Sequence, residues 1–564
     1  MKRVALAFCV ALLCTVIGRA AYRAASPPQP PLSKFVPAGP LLYLEAKDFS
    51  SLLGEWNSSR QKKDWVDSDS YQVFSRSRLF LRLKGAGDQF AATAGLPPNI
   101  DFLSEVAGQH SVIAIYDIGK LQFLYITYLP SAQSMRTDLW QTRAKFEKRN
   151  SAGFDFYLRR DPESEREVAF AISGDYLLLA TRENLIAEAL QLIFGKQDRT
   201  VESDSWWAQS TSATGQAGDL RMVMDLQSLV PNGYFRTYWV QQNITDLSQY
   251  SSAVSDLFRS GKQYRDERVL IRKKAPEPNL TSDGMSAAAD LSRFIPENAG
   301  LYVTRADPSA DASFHLLETK VLSPHPENSA RSQFAPQVQL TSGEQGSSSD
   351  LEERIDQKPS ESPLAAESAS ELRAMIDKMP ITASLLVQST QADPRGVFVR
   401  IHSVVVLMGA SDWNESEASS AITEYAGPSM TASKLGLQWQ QQRNYRQLDG
   451  LWPLFMSVRG KYLVVSDDSD LMEASLARSA QNSDRKPLRM LAGFNHSRER
   501  ENFARLSGSL DLRGAAASGE RQPQFFSGTM ASLSKILASV SAEQIEIRND
   551  GDRERQTVTY EWSK

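Results

Sequence analysis

Phe35-Val36-Pro37, with Leu42-Tyr43-Leu44 and Asp48 behind it, returns as Phe294-Ile295-Pro296 with Leu301-Tyr302-Val303 and Asp307, each partner displaced by 259 positions (294 minus 35). A second stretch, Gly174-Asp175-Tyr176-Leu177-Leu178-Leu179 with Leu185 and Leu190, returns as Gly460-Lys461-Tyr462-Leu463-Val464-Val465 with Leu471 and Leu476, at an offset of 286 (460 minus 174). Leu220, Met224, Asp225 and Leu226 map at that same offset onto Leu506, Leu510, Asp511 and Leu512. Registers held over such distances predict a duplicated fold. A duplicated fold with diverged surfaces points to binding or architecture more readily than to one catalytic pocket.

Around these motifs the apolar period is mostly two, which predicts strands. Phe154 and Phe156, then Val168, Phe170 and Ile172, then Tyr176 to Leu179 read as successive strands, the last nearly all apolar and therefore central. Their expected counterparts are Leu437 and Trp439, then Leu454, Met456 and Val458, then Tyr462 to Val465. Further strands are expected at 112–116, 122–128 and 219–226, and at 381–387, 397–407 and 506–512. Helical spacing follows the central strands: Leu185, Ile186, Ala189, Leu190 and Ile193, and later Leu471, Met472, Ser475 and Leu476, each place one apolar stripe on a sheet. The expected class is α+β: two homologous tandem domains, each an antiparallel sheet with packed helices, joined by a Pro-containing linker.

A chain of 564 residues is too long for one core. The expected organisation is an N-terminal segment at 1–23, a Pro-rich spacer at 24–34, a first domain at 35–274, a linker at 275–293 and a second domain at 294–564. Within the second domain, residues 323–370 are rich in Ser, Glu, Gln and Pro and are expected to form a disordered insertion. The change of offset agrees, since 286 minus 259 leaves 27 extra residues there.

Met1-Lys2-Arg3 and the apolar run Val4 to Gly18 read as a secretory signal. At about 15 apolar residues the run is short for a span, which needs about 20, yet Arg19 and Arg23 suit an interfacial flank. A cleaved signal peptide and an uncleaved transmembrane anchor both stay open, and either places the bulk of the chain outside the cytoplasm, on the periplasmic side of a bacterial envelope. Cys9 and Cys14 are the only cysteines, so the remainder can hold neither a disulfide nor a thiolate site. Sequons at Asn57, Asn243, Asn279, Asn414 and Asn495 have a bland origin in a Ser-rich chain. A net charge of -4 without a long basic run argues against nucleic acid as a partner.

No catalytic, cofactor-binding or metal-binding residues are expected. His110, His315, His325, His402 and His496 lack metal-ligand spacing and read as structural or surface histidines. Ser532-Leu533-Ser534-Lys535 fits Ser-x-x-Lys but lacks the companions of a penicillin-binding enzyme. Neither a Gly-x-Ser-x-Gly elbow nor a Gly-rich phosphate loop occurs. The recurring acids Asp48, Asp307, Asp225 and Asp511 read as turn and helix caps. Trp206, Trp207, Tyr238 and Trp239 are the candidate partner-binding residues, because adjacent aromatics on a strand point to opposite faces and one is left outside.

Phe-Val-Pro followed by Leu-Leu-Tyr-Leu and Asp48, together with Gly174-Asp175-Tyr176-Leu177-Leu178-Leu179-Ala180-Thr181, resembles an uncharacterised bacterial family of exported or membrane-anchored proteins. The resemblance implies an envelope location and supplies no catalytic residues. The expected function is a non-enzymatic binding or scaffolding module of the envelope, whose partner is an envelope protein or other envelope component. Alternatives are a periplasmic hydrolase with an unrecognised site, and a carrier with an apolar cleft between sheet and helices.

Overall fold

Glycines that precede the central strands set the first tight turns. Gly174 and Gly460 both have φ of 56°, in the left-handed region that an unbranched backbone enters most easily. In the computed structural model, which describes residues 30–238, 246–274, 280–323, 363–392, 399–431, 437–481, 485–505 and 539–562, each glycine closes a hairpin. The protein is α+β, with helices on a large antiparallel sheet. Two compact units interleave along the chain. One holds the described residues through Gly54, Leu83–Ser212 and Met222–Thr237; the other holds Glu55–Arg82, Ala213–Arg221 and the described residues from Tyr238 onward.

The first unit contains β1 (Leu42–Ala46), β2 (His110–Asp117), β3 (Gln122–Tyr128), β4 (Glu147–Ser151), β5 (Phe154–Arg160), β6 (Glu167–Ser173), β7 (Tyr176–Ala180) and the end of β8 (Leu220–Met224). Their order is β4-β5-β6-β7-β3-β2-β1-β8. Because side chains alternate along a strand, Val112, Ala114, Leu124, Ile126, Leu178 and Ala180 are buried on one face. Leu185, Ile186, Ala189 and Leu190 of the Glu183–Ile193 helix are buried as the spacing predicts.

The second unit contains β9 (Tyr250–Ser260), β10 (Gln263–Arg272), β11 (Leu301–Ala306), β12 (Ile381–Ala392), β13 (Val399–Gly409), β14 (Trp439–Gln441), β15 (Arg446–Leu448), β16 (Leu454–Arg459), β17 (Tyr462–Ser466), β18 (Met490–Phe494), β19 (Val540–Asp550) and β20 (Arg553–Trp562). From β11 the ladder runs β11-β12-β13-β17-β16-β15-β14, the same order as β1-β2-β3-β7-β6-β5-β4. On the other side of β11 it runs β18-β19-β20-β10-β9. Leu385, Val387, Val404, Val406 and Val464 form a core on one face with Leu471, Met472 and Leu476. Leu386, Val405, Leu407, Met456 and Val465 form another with Phe314, Leu317, Leu372, Ile376 and Ile422. Each fully buried Val or Leu contributes about 1.5–3 kcal/mol.

Several expectations change. The third motif pair was expected at 506–512, which lies outside the described residues, and β18 occupies the place beside β11 that β8 has beside β1. Asp225 N–H donates to the Leu41 carbonyl at 3.0 Å and Asn495 N–H to the Gly300 carbonyl at 2.8 Å. Asp225 then caps Ser228 N–H at 3.2 Å, as Asn495 caps Arg498 N–H at 3.2 Å. Asn and Asp do this equally well, so the recurring feature is a cap and not an acid. Trp439 opens β14, the outermost strand, rather than matching β5.

The expected linker holds the Ser282–Leu291 helix, whose Ala287, Ala288, Ala289 and Leu291 are buried in the second unit. Small residues at helical spacing let that helix lie close on β11 and β12. The β9–β10 hairpin precedes the expected boundary but belongs to the second unit, held there by nine cross-strand pairs between β10 and β20. Most of the expected insertion lies outside the described residues, although its end starts the Pro363–Lys378 helix. The transmembrane expectation is also corrected. No helix among the described residues is long and apolar enough to cross a membrane; the longest, Arg78–Ala94 at 17 residues, carries Arg78, Arg82, Lys84 and Asp88. Residues 1–23, where the signal or anchor was expected, lie outside the described residues.

Asn414 shows how caps account for residues that looked like glycan acceptors. Its side chain accepts from Ser416 N–H at 3.0 Å and Glu417 N–H at 3.2 Å at the start of the Glu415–Met430 helix. Asn414→Ala should therefore cost about 1 kcal/mol of stability in a denaturant titration; an unchanged midpoint would remove the cap from the account.

Candidate functional site

Cross-strand registry builds the floor of a cavity in the first unit. Ile113 of β2 lies opposite Tyr125 of β3, Tyr125 opposite Leu179 of β7, Leu179 opposite Phe170 of β6, and Phe170 opposite Tyr157 of β5. This row of apolar side chains stands on the face away from Leu124 and Leu178. Tyr157 and Phe170 stack at 5.2 Å between ring centroids. At the β2 and β3 end of the floor, Ile113 and Phe123 are only half-buried, although they sit on interior strands.

Two helices, together with Phe49 at the start of the Phe49–Ser58 helix, stand over that end. Ala86, Phe90 and Thr93 share a face of the Arg78–Ala94 helix, and Phe102, Leu103 and Val106 come from the Ile100–Val106 helix. Asn99 caps the latter by accepting from Phe102 N–H at 2.9 Å. Its far end is tied to the floor, since Tyr125 Oη donates to the Val106 carbonyl at 2.8 Å. Burial raises the Tyr125 pKa, which keeps that donor neutral. Phe90 meets Phe102 at 6.0 Å and Phe49 meets Tyr125 at 6.4 Å. The space between these side chains, open on one side, is about 310 Å3.

Polar groups at the edge are mostly engaged by the protein itself. Thr181 Oγ1 accepts from Phe123 N–H at 2.9 Å, and Thr93 Oγ1 donates to the Gln89 carbonyl at 2.9 Å. One Glu167 oxygen accepts from Arg160, Nη2 at 2.6 Å, and the other from Glu183 N–H at 2.9 Å. Arg166 donates to the Lys120 carbonyl. The lining is thus an apolar surface with most of its polar atoms turned to protein partners, suited to an apolar guest.

The same row in the second unit is closed. Leu386, Val405, Val465 and Met456 are cross-strand neighbours in that order, and all are buried under helices carrying Phe314, Leu317, Leu372, Ile376 and Ile422. A shared strand order therefore carries a filled face in one unit and a hollow one in the other.

Trp206 and Trp207, two of the expected partner-binding aromatics, do not line this cavity. Trp206 and Trp207 belong to the Ser205–Ser212 helix and not to a strand. Trp207 is buried, edge-on to Tyr43 at 4.5 Å, and Trp206 is half-buried. Tyr238 closes the Gly233–Tyr238 helix, and Trp239 lies outside the described residues. Asp48 caps Ser51 N–H at 3.1 Å, and Asp307 holds Thr281 N–H at 2.7 Å. His110 bonds Glu45 at 2.6 Å, His402 bonds Gln391 at 3.2 Å, and His315 bonds Glu318 at 3.3 Å. His496 lies 3.6 Å from Glu543. His325 and Ser532 to Lys535 lie outside the described residues. Among the described residues no group of three His, Cys, Asp or Glu could hold a metal.

Sequence reasoning missed the cavity residues. The available signal was that Val112 to Tyr116 and Gln122 to Tyr128 are apolar on both faces, which requires cover on both. Comparison of the chain with protein-family models, curated proteins and solved structures found no match.

Proposed function

We propose that the chain is a non-enzymatic binding protein whose first unit takes up an apolar small molecule between its sheet and the Arg78–Ala94 and Ile100–Val106 helices. The observation that carries this reading is the cavity of about 310 Å3, apolar at Phe90, Phe102, Ile113, Phe123 and Leu179. Its volume is roughly twice the 150 Å3 of an engineered apolar cavity that stays dry and binds benzene. Glu167, Thr93 and Thr181 at the edge are spent on structure, which favours holding over chemistry. Fluorescence titration of the full chain with N-phenyl-1-naphthylamine tests it. One saturable site per chain is expected, and a linear, unsaturable signal would overturn the proposal.

We further propose that the two units are homologous tandem domains, one of which has kept its sheet face filled while the other has opened it. The recurrent strand order, the paired caps at Asp225 and Asn495, and the bonds to Leu41 and Gly300 support this. Leu41 and Gly300 stand at the offset of 259 (300 minus 41) found for the opening motif.

A further inference from the structure

Resting on the apolar-ligand reading above, we propose that the ligand is a single-chain carboxylate, with its chain in the cavity and its head against the Arg166 guanidinium. Among the described residues Arg166 is the cation that lines the space, and it is half-buried. One of its terminal nitrogens donates to the Lys120 carbonyl, which leaves further N–H donors of a five-donor group for a guest. No carboxylate among the described residues forms an ion pair with it. Glu167, the adjacent lining acid, is bound by Arg160 and by the first amide of the Glu183–Ile193 helix. Of the acids in the β5–β6 turn, Asp161 accepts from Ser164 N–H at 2.9 Å, and Glu163 and Glu165 are exposed to water.

A guest with an acceptor head is therefore matched where a cationic head is opposed. If a cavity of roughly 150 Å3 holds the six carbons of benzene, 310 Å3 admits a chain of about a dozen. The β2–β3 turn fixes the geometry at the mouth. Leu121 lines the cavity with φ of 52°, a conformation that costs a residue with a Cβ about 1–2 kcal/mol, and the Lys120 carbonyl just before it accepts from Arg166.

The test displaces N-phenyl-1-naphthylamine from the full chain with dodecanoate, 1-dodecanol or dodecyltrimethylammonium, below micelle-forming concentrations. Dodecanoate is expected to compete about tenfold better than dodecanol, the scale of one charge-assisted hydrogen bond at a half-exposed site, and the ammonium worst. Arg166→Gln should bring dodecanoate to the level of dodecanol, read as the ratio of the two within the same variant, and Arg166→Lys should keep part of the preference. Equal competition by dodecanoate and dodecanol in the native chain would overturn the head-group assignment, as would a preference that survives Arg166→Gln. Absence of saturable probe binding would instead overturn the cavity reading itself.

Discussion

Replacing Glu554 with alanine should destabilise the second unit by about 3–5 kcal/mol, the usual result of stripping one partner from a buried ion pair. The Glu554 side chain is 4% exposed and that of Arg272 7%. They are directly bonded, with Arg489 at 3.1 Å, the Tyr250 hydroxyl donating at 3.0 Å and Gln556 at 2.9 Å completing the carboxylate's shell. Burial and the Glu554 charge push the Tyr250 pKa up to about 12, so it remains a neutral donor. Alanine leaves the Arg272 guanidinium buried without its counter-ion in the seam between β10 and β20. Glu554→Leu combined with Arg272→Met, which removes both charges, should cost much less than either single change. Equilibrium denaturation checks both; a loss below about 1 kcal/mol for Glu554→Ala would mean the cluster does not hold that seam.

Ile113→Trp should abolish probe binding, weakening it at least about 100-fold, without lowering stability, because the added ring enters empty space instead of displacing packed atoms. The register-equivalent substitution in the second unit makes the contrast. Leu386 is 8% exposed in a filled core, so Leu386→Trp must overpack and should cost about 1–3 kcal/mol or more. Probe titration together with melting of the two variants separates the cases. Undiminished binding in Ile113→Trp, or tolerance of tryptophan at both positions, would contradict a hollow first unit beside a filled second one.

Local signals account for much of the fold. Tyr176 to Leu179 and Tyr462 to Val465 announced central strands because strands buried on both faces need apolar residues at every position, and β7 and β17 are flanked on both sides. The stripes on Glu183–Ile193 and Ser469–Arg478 were legible because a helix lying on a sheet needs apolar residues at helical spacing on one face. The hairpins β9–β10 and β19–β20 were not. Arg265, Asp266, Glu267 and Arg268 show no apolar alternation, and a distant ladder with β20, assisted by Arg268 on Asp266 at 2.6 Å, makes them a strand. Trp206 and Trp207 were misplaced because aromatic residues favour strands, whereas Trp207 is held on a helix by packing against Tyr43. The cavity was the least legible feature. Gly85 and Gly87 weaken the helical pattern of its cover, and a void has no residues of its own to read.

Crystals of the protein soaked in 1-bromonaphthalene and measured at the bromine absorption edge would show where an apolar guest sits. An anomalous peak is expected among Phe90, Phe102, Ile113 and Phe123, and none at the matching face around Leu386 and Val405. A cavity closed by helix 78–94 settling onto β2 and β3, or bromine bound only elsewhere on the chain, would contradict it.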